Sequence, residues 1–172
     1  MTTPTSTLTG ERADLLEALG KQRYFLRYTT RDLDDEQAAL RTTASELSLG
    51  GLIKHVTLTE QGWARFMVGG AEAMEHGGEA EPTEWADTFR MVDGETLTGL
   101  LDAYEQVARK TDELIATLDL DLSHPLPAAP WFEPGKTWSV RRVTAHLIAE
   151  ISQHAGHADI IRESLDGSKS MG

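Results

Sequence analysis

Between Glu11 and Thr29, apolar side chains at Leu15, Leu16, Leu19, Tyr24, Leu26 and Tyr28 recur among charges at helical spacing. The pattern returns after Ser48, a suitable N-cap, with Leu52, Val56, Trp63 and Phe66 on one face up to about Val68. Between these two stretches Asp34-Asp-Glu-Gln can form a short helical turn. A third pattern takes Asp93 as its cap and places Leu97, Leu101, Tyr104, Ala108, Ile115 and Leu118 along one seam. A fourth follows Thr137 or Ser139 and ends at Gly167. The segment from Leu120 to Lys136 holds Pro125, Pro127, Pro130, Pro134 and Gly135 and cannot be helical. No alternating strand signal is present, so the pattern predicts an all-α chain built on four helices.

From Gly69 to Asp93 the character changes, with Gly69-Gly70, Gly77-Gly78, Pro82 and the acids Glu72, Glu75, Glu79, Glu81 and Glu84. A loop is expected there. It exceeds a tight helix-helix connection and is read as a long crossover along a four-helix bundle, which makes helices two and three parallel. A partly disordered acidic loop with Trp85 and Phe89 tucked onto the bundle fits the composition equally well.

The 172 residues, 40 % hydrophobic and 26 % charged, suit one globular domain spanning 1–172, with residues 1–9 expected to be flexible. A formal net charge of −12 argues against a protein that holds phosphate backbones, so nucleic acid is not an expected partner. Cysteine is absent, which excludes disulfides, thiolate metal sites and catalytic cysteines. The amino-terminal residues carry neither a basic nor an apolar targeting stretch, and no segment has the length of a membrane span. The cytoplasm is the expected location, with no membrane partner.

Ionisable groups interrupt the last seam. At ~100° per residue, Val143, Leu147, Glu150, His154, His157 and Ile161 fall within ~40° of a common line. Glu150 and His154 therefore stand where Leu or Ile would stabilise the fold, and a carboxylate there is costly unless paired or bound to a cation. At i and i+4 the two can reach one ion; a Glu-His hydrogen bond is the plainer alternative. His146 and His157 flank the same face as hydrogen-bonding neighbours or alternative ligands. His124 and His76, in loops, are expected to be solvated. Of the remaining histidines only His55 lies on a helix, beside Leu52 and Val56. Alone it reads as a core histidine; with Glu150 and His154 it becomes a candidate third ligand from a facing helix.

The blocks Leu47-Ser-Leu-Gly-Gly-Leu-Ile-Lys-His55-Val, Glu60-Gln-Gly-Trp63, Trp138-Ser-Val-Arg-Arg-Val-Thr-Ala-His146 and Glu150-Ile-Ser-Gln-His154-Ala-Gly-His157-Ala-Asp together resemble the actinobacterial branch of the DinB/YfiT-like superfamily. The resemblance covers nearly the whole chain in the right order. It implies an up-down-down-up four-helix bundle with a metal bound by one histidine of helix two and two residues four apart in helix four. Those positions are His55, Glu150 and His154. Many members carry histidine at both helix-four positions; Glu150 departs from this and is similar to the His-Glu-His set of the mycothiol-dependent maleylpyruvate isomerases.

Three protein ligands leave a coordination position open for water or substrate. The donors suit zinc first, and also nickel, manganese or iron. The family resemblance implies a metal-dependent S-transferase in which a low-molecular-weight thiol such as mycothiol, activated as a metal-bound thiolate, attacks a small electrophile. The alternatives are a metal-dependent hydrolase or isomerase of a small molecule, and a non-catalytic, stress-related metal-binding bundle. Homodimers are common in the family. Arg141 and Arg142, at the start of helix four, are candidate contacts for an anionic cosubstrate group, or ordinary surface arginines. Trp63 and Trp138 are candidates for core or pocket wall, and Asp159 and Arg162 for a surface i, i+3 pair. No catalytic residue is assigned.

Overall fold

The four predicted helices are present, the short turn expected at Asp34 forms as a helix, and one further short helix is added. In chain order they are α1 (Glu11–Tyr28), α2 (Asp35–Ala39), α3 (Leu49–Glu75), α4 (Pro82–Asp87), α5 (Leu97–Thr117) and α6 (Val140–Asp166). A small antiparallel sheet of β1 (Ser123–Pro125) and β2 (Thr137–Ser139) precedes α6. The computed structural model describes residues 8–75 and 82–170. Most of the expected flexible segment 1–9 lies outside the described residues, as do His76, Gly77-Gly78, Glu79 and Glu81 of the acidic stretch. Among the described residues no helix is long and apolar enough to cross a membrane.

Local chemistry sets the boundaries. Asp34 and Gln37 form a reciprocal capping box on α2, and Ser48 Oγ accepts the Gly51 amide at 3.2 Å to open α3. The helix expected to end near Val68 breaks at Gly70, whose φ of 71° is non-helical, and then resumes as far as Glu75. The stretch 69–93 is therefore not a continuous loop: it holds the end of α3 and the six-residue α4. Asp93 does not cap α5. It sits in a turn with Gly94, whose φ is 87°, and Thr96 caps instead by accepting the Gly99 amide at 3.1 Å. Ser139 caps α6, and Gly167 ends it in the left-handed region. The expectation of no strands is corrected by β1 and β2, which pair Ser123 with Ser139 and Pro125 with Thr137 across the proline-rich stretch. Three-residue strands are too short to display period-two alternation.

The four long helices pack in a closed circuit: α1 on α6, α6 on α3, α3 on α5, and α5 on α1. Leu19, Leu26, Leu52, Val56, Phe66, Ile115, Leu147 and Ile151 are buried in the shared core. Beside them lies a charged group. Glu60 is fully buried on α3, and Arg23 of α1 donates from Nε to its Oε2 at 3.2 Å and from a terminal nitrogen to Asp112 of α5 at 2.7 Å. The two acids hold the Arg23 guanidinium charged against the opposing cost of burial.

Removing one partner of such a pair leaves a buried charge uncompensated. Glu60→Ala is expected to lose about 3–5 kcal/mol of unfolding free energy in urea denaturation. A loss below about 1 kcal/mol would mean that Asp112 alone compensates Arg23.

Candidate metal centre

His55, on α3, and Glu150 and His154, on α6, converge where the two helices face each other. His154 Nε2 is 3.3 Å from Glu150 Oε1, and His55 Nε2 is 4.0 Å from the same oxygen. One donor atom from each residue falls within 4.8 Å of the other two. Donors ~2.1 Å from one cation stand roughly 3.4 Å apart in tetrahedral geometry, so small side-chain adjustments close this set around an ion. The three residues could hold a divalent metal.

Sequence dictates this meeting. The four-residue step from Glu150 to His154 stacks both on one face of α6, next to the buried Leu147, Ile151 and Ala155. His55 follows the buried Leu52 and Ile53 and is itself 8 % exposed. Its ring lies against Phe89, with centroids 4.1 Å apart and planes 20° apart, and Trp85 meets it edge-on at 6.5 Å. That contact depends on the glycine pair at the start of α3. A Cβ on Gly51 would stand 1.9 Å from the Phe89 carbonyl oxygen, and one on Gly50 would stand 2.3 Å from Met91 Sδ. Only glycine lets the segment after α4 dock this closely.

The electrostatics divide the cluster. Glu150 is held below its usual carboxylate range, first by the hydrogen bond from His154, which outweighs its partial desolvation. His55 moves the other way for an imidazolium: burial first, then the neighbouring His154, push its pKa down to about 4 despite Glu150. At neutral pH the site thus presents an ionised carboxylate and a neutral imidazole, the protonation states that cation binding requires. On the far side of His154, its Nδ1 lies 3.5 Å from His157 Nδ1, a contact that can fix the ring when one nitrogen carries the proton.

The other sequence candidates are distributed around this centre. His146 lies outside the donor set, with Trp63 and Trp138 each 5.0 Å away, and burial lowers its pKa. Trp63 is buried and stacked on Trp138 with planes 20° apart. Arg142 lays its guanidinium over Trp138 at 4.0 Å, and Arg141 is paired with Glu11 and Asp121. His124 is only partly solvated: its Nε2 is 3.3 Å from the Met67 carbonyl, and its ring packs on Phe66, where the Gly70 kink lies against β1. Arg162 is not a surface partner of Asp159. It is 4 % exposed and donates to the carbonyls of Thr29 at 2.8 Å and Arg31 at 2.7 Å, with Asp166 as its carboxylate.

His55 and Glu150 open onto a cleft of about 630 Å³, walled by Trp63, Met74, Trp85, Trp131, Phe132 and His146. Two other grooves, of about 650 Å³ between α1 and α5 and about 740 Å³ between α3 and α5, contain none of the three donors. Trp131 and Phe132 had no sequence signal of a site role, since aromatic residues in a proline-rich stretch have no periodicity to place them.

Because the pKa of His55 falls from 6.5 to about 4 on folding, the unfolded chain takes up a proton between these values that the folded chain does not. The metal-free protein is therefore expected to lose thermal stability as pH falls from about 6.5 to 4. His146 acts in the same direction, so His55→Asn should reduce the slope of melting temperature against pH in that window; an unchanged slope would assign it elsewhere. Gly51→Ala should weaken zinc binding, measured by competition with a chelating dye, by about tenfold or more. Gly20→Ala, where nothing stands within 4 Å of the added Cβ, serves as the control and should leave it unchanged.

No curated protein matches the chain. The family model described as mycothiol-S-transferase matches residues 14–167, a span that includes all three candidate donors and both walls of the cleft. The chain belongs to the mycothiol-S-transferase family, within the DinB-like group of metal-dependent thiol S-transferases.

Proposed function

We propose that this protein transfers a low-molecular-weight thiol of the mycothiol type onto a small electrophile, at a divalent metal held by His55, Glu150 and His154. The observation that carries the proposal is the convergence of three donors from two helices, two of which, His55 and Glu150, line a cleft. The chain has no cysteine, so the nucleophilic sulfur belongs to the cosubstrate. A divalent cation, when bound, lowers the pKa of a thiol that reaches it, so that the thiolate is available near neutral pH. Zinc suits two imidazoles and a carboxylate best, and nickel, manganese and iron accept the same donors.

The protein side chains supply placement and charge. Glu150 contributes the negative charge that favours a cation, neutral His55 offers a free lone pair, and Phe89 shields the face of that imidazole from water. His157 restrains the His154 ring. Trp63 and Arg142 belong to the aromatic side of the cleft: Trp63 lines it, and Arg142 braces Trp138 behind it. Arg141 has its charge engaged by Glu11 and Asp121, so any hold on a cosubstrate would compete with these acids. The cytoplasm, where small thiols are kept reduced, is the matching location.

We further infer that the chain is one domain with up-down-down-up connectivity. Glu11 meets Arg141 at the starts of α1 and α6, and Arg162, near the end of α6, meets Thr29 just past α1, in keeping with parallel helices. Lys54 and Glu95 pair near the starts of α3 and α5. Arg27 pairs with Glu105 and Arg23 with Asp112, an antiparallel progression along α1 and α5.

The test is turnover of mycothiol with monochlorobimane. Chelation is expected to abolish conjugation and added zinc or manganese to restore it. Replacing any one of His55, Glu150 or His154 with alanine should lower kcat/KM by at least about 100-fold. Conjugation that survives complete metal removal would overturn the proposal.

A further inference from the structure

Two aromatic tracks lead to the donor cluster, and neither lies wholly on the long helices. One runs from Trp85 to Phe89 to His55, with ring centroids 5.7 and 4.1 Å apart. The other runs from Trp131 to Phe132 to Trp63 to His146, at 6.2, 6.3 and 5.0 Å. The outer members stand in solvent, Trp85 at 60 % and Trp131 at 77 % exposure, yet both line the same cleft. An exposed large apolar side chain is unremarkable alone; two of them at the mouth of one cleft mark a surface shaped for an apolar ligand.

The charge inventory points the same way. Among the described residues no lysine or arginine lines the cleft, and the ionisable side chains that do are His55, His146 and Glu150. Of the nearby cations, Arg90 is paired with Asp87, and Arg142 lies over the Trp138 ring. Held along these walls and away from a metal at the donor cluster, a carboxylate would lose its hydration and find no lysine or arginine to replace it. A polar thiol cosubstrate would leave its own hydrogen-bonding groups unsatisfied against the same walls.

We propose that this cleft receives the electrophile and not the body of the thiol, and that it selects flat, apolar, uncharged electrophiles, with Trp85 and Trp131 setting the preference. The inference rests on the transfer reading above. In the reaction the thiolate sulfur bonds to the electrophilic carbon, the leaving group departs from that carbon with its bonding pair, and the thiol proton passes to solvent. Selectivity resides in α4 and in the stretch between β1 and β2, whereas the donors reside on α3 and α6.

A matched pair of electrophiles tests this: 2-chloro-1,3-dinitrobenzene and its carboxylated analogue 4-chloro-3,5-dinitrobenzoate, each rate divided by the uncatalysed rate with the same thiol. The uncharged compound is expected to be favoured by about 100-fold or more in kcat/KM, as a desolvated and unpaired carboxylate implies. Trp85→Ala and Trp131→Ala should each raise KM for it by about tenfold with a smaller change in kcat. Trp131→Arg, at an exposed position, should shift the ratio toward the carboxylated compound. A binding arm needs neither thiol nor metal: quenching of tryptophan fluorescence by 1,3-dinitrobenzene should saturate, and quenching by 3,5-dinitrobenzoate should not. Equal binding and equal normalised turnover, or a preference for the carboxylate, would overturn the inference. Absence of turnover with either compound while monochlorobimane is still conjugated would overturn the inference; absence with all three would overturn the transfer reading, and the binding arm alone would then decide the preference of the cleft.

Discussion

A carboxylate half-withdrawn from water persists in its charged form only where its partners outweigh the lost hydration, and the candidate site is organised around one such group, Glu150. The hydrogen bond from His154 tips that balance toward ionisation. Nearby His55 lies deeper, and there desolvation overrides attraction to the same carboxylate, leaving the imidazole neutral. Opposite outcomes within one cluster follow from unequal burial of the two side chains, 26 % exposed for Glu150 against 10 % for His55. The result is an ionised carboxylate beside the uncharged imidazole of His55, a pairing suited to a cation.

How far this could be read from the chain differs from residue to residue. Glu150 and His154 were legible because a helical seam makes a polar intruder conspicuous, and the same reasoning reaches Glu60, which follows Leu52 and Val56 at the same four-residue step and turns out fully buried with Arg23. His124 and Arg162 were misplaced for a common reason: their environments are made by distant segments. The Gly70 kink brings the backbone of α3 against His124, and the carbonyls after α1 draw in Arg162. No periodicity within their own segments records those partners. The cap of α5 was missed by three residues because Asp93 has the better capping side chain, while the left-handed Gly94 next to it prevents the helix from starting there.

The stretch after α3 shows a second limit. Its composition announces a departure from the core pattern, and Gly69-Gly70 does mark a change of direction, yet the helix resumes and a short helix follows. What fixes part of this stretch in place is encoded elsewhere, in Gly50 and Gly51 at the start of α3, where two missing side chains admit the backbone of Phe89 and the side chain of Met91. A glycine pair in a helix lowers its intrinsic propensity. Here that local cost is offset by a docking contact that seats an aromatic ring on a candidate metal ligand.

The separation of the donors from the outer cleft walls has an evolutionary reading. The atoms suited to hold a cation sit on long helices whose packing resists change, whereas Trp85, Trp131 and Phe132 sit on connecting segments, which tolerate substitution far better. A lineage built on this chain could exchange one small reactive compound for another by altering a few residues in its connections. The candidate donors would pass unchanged from one compound to the next.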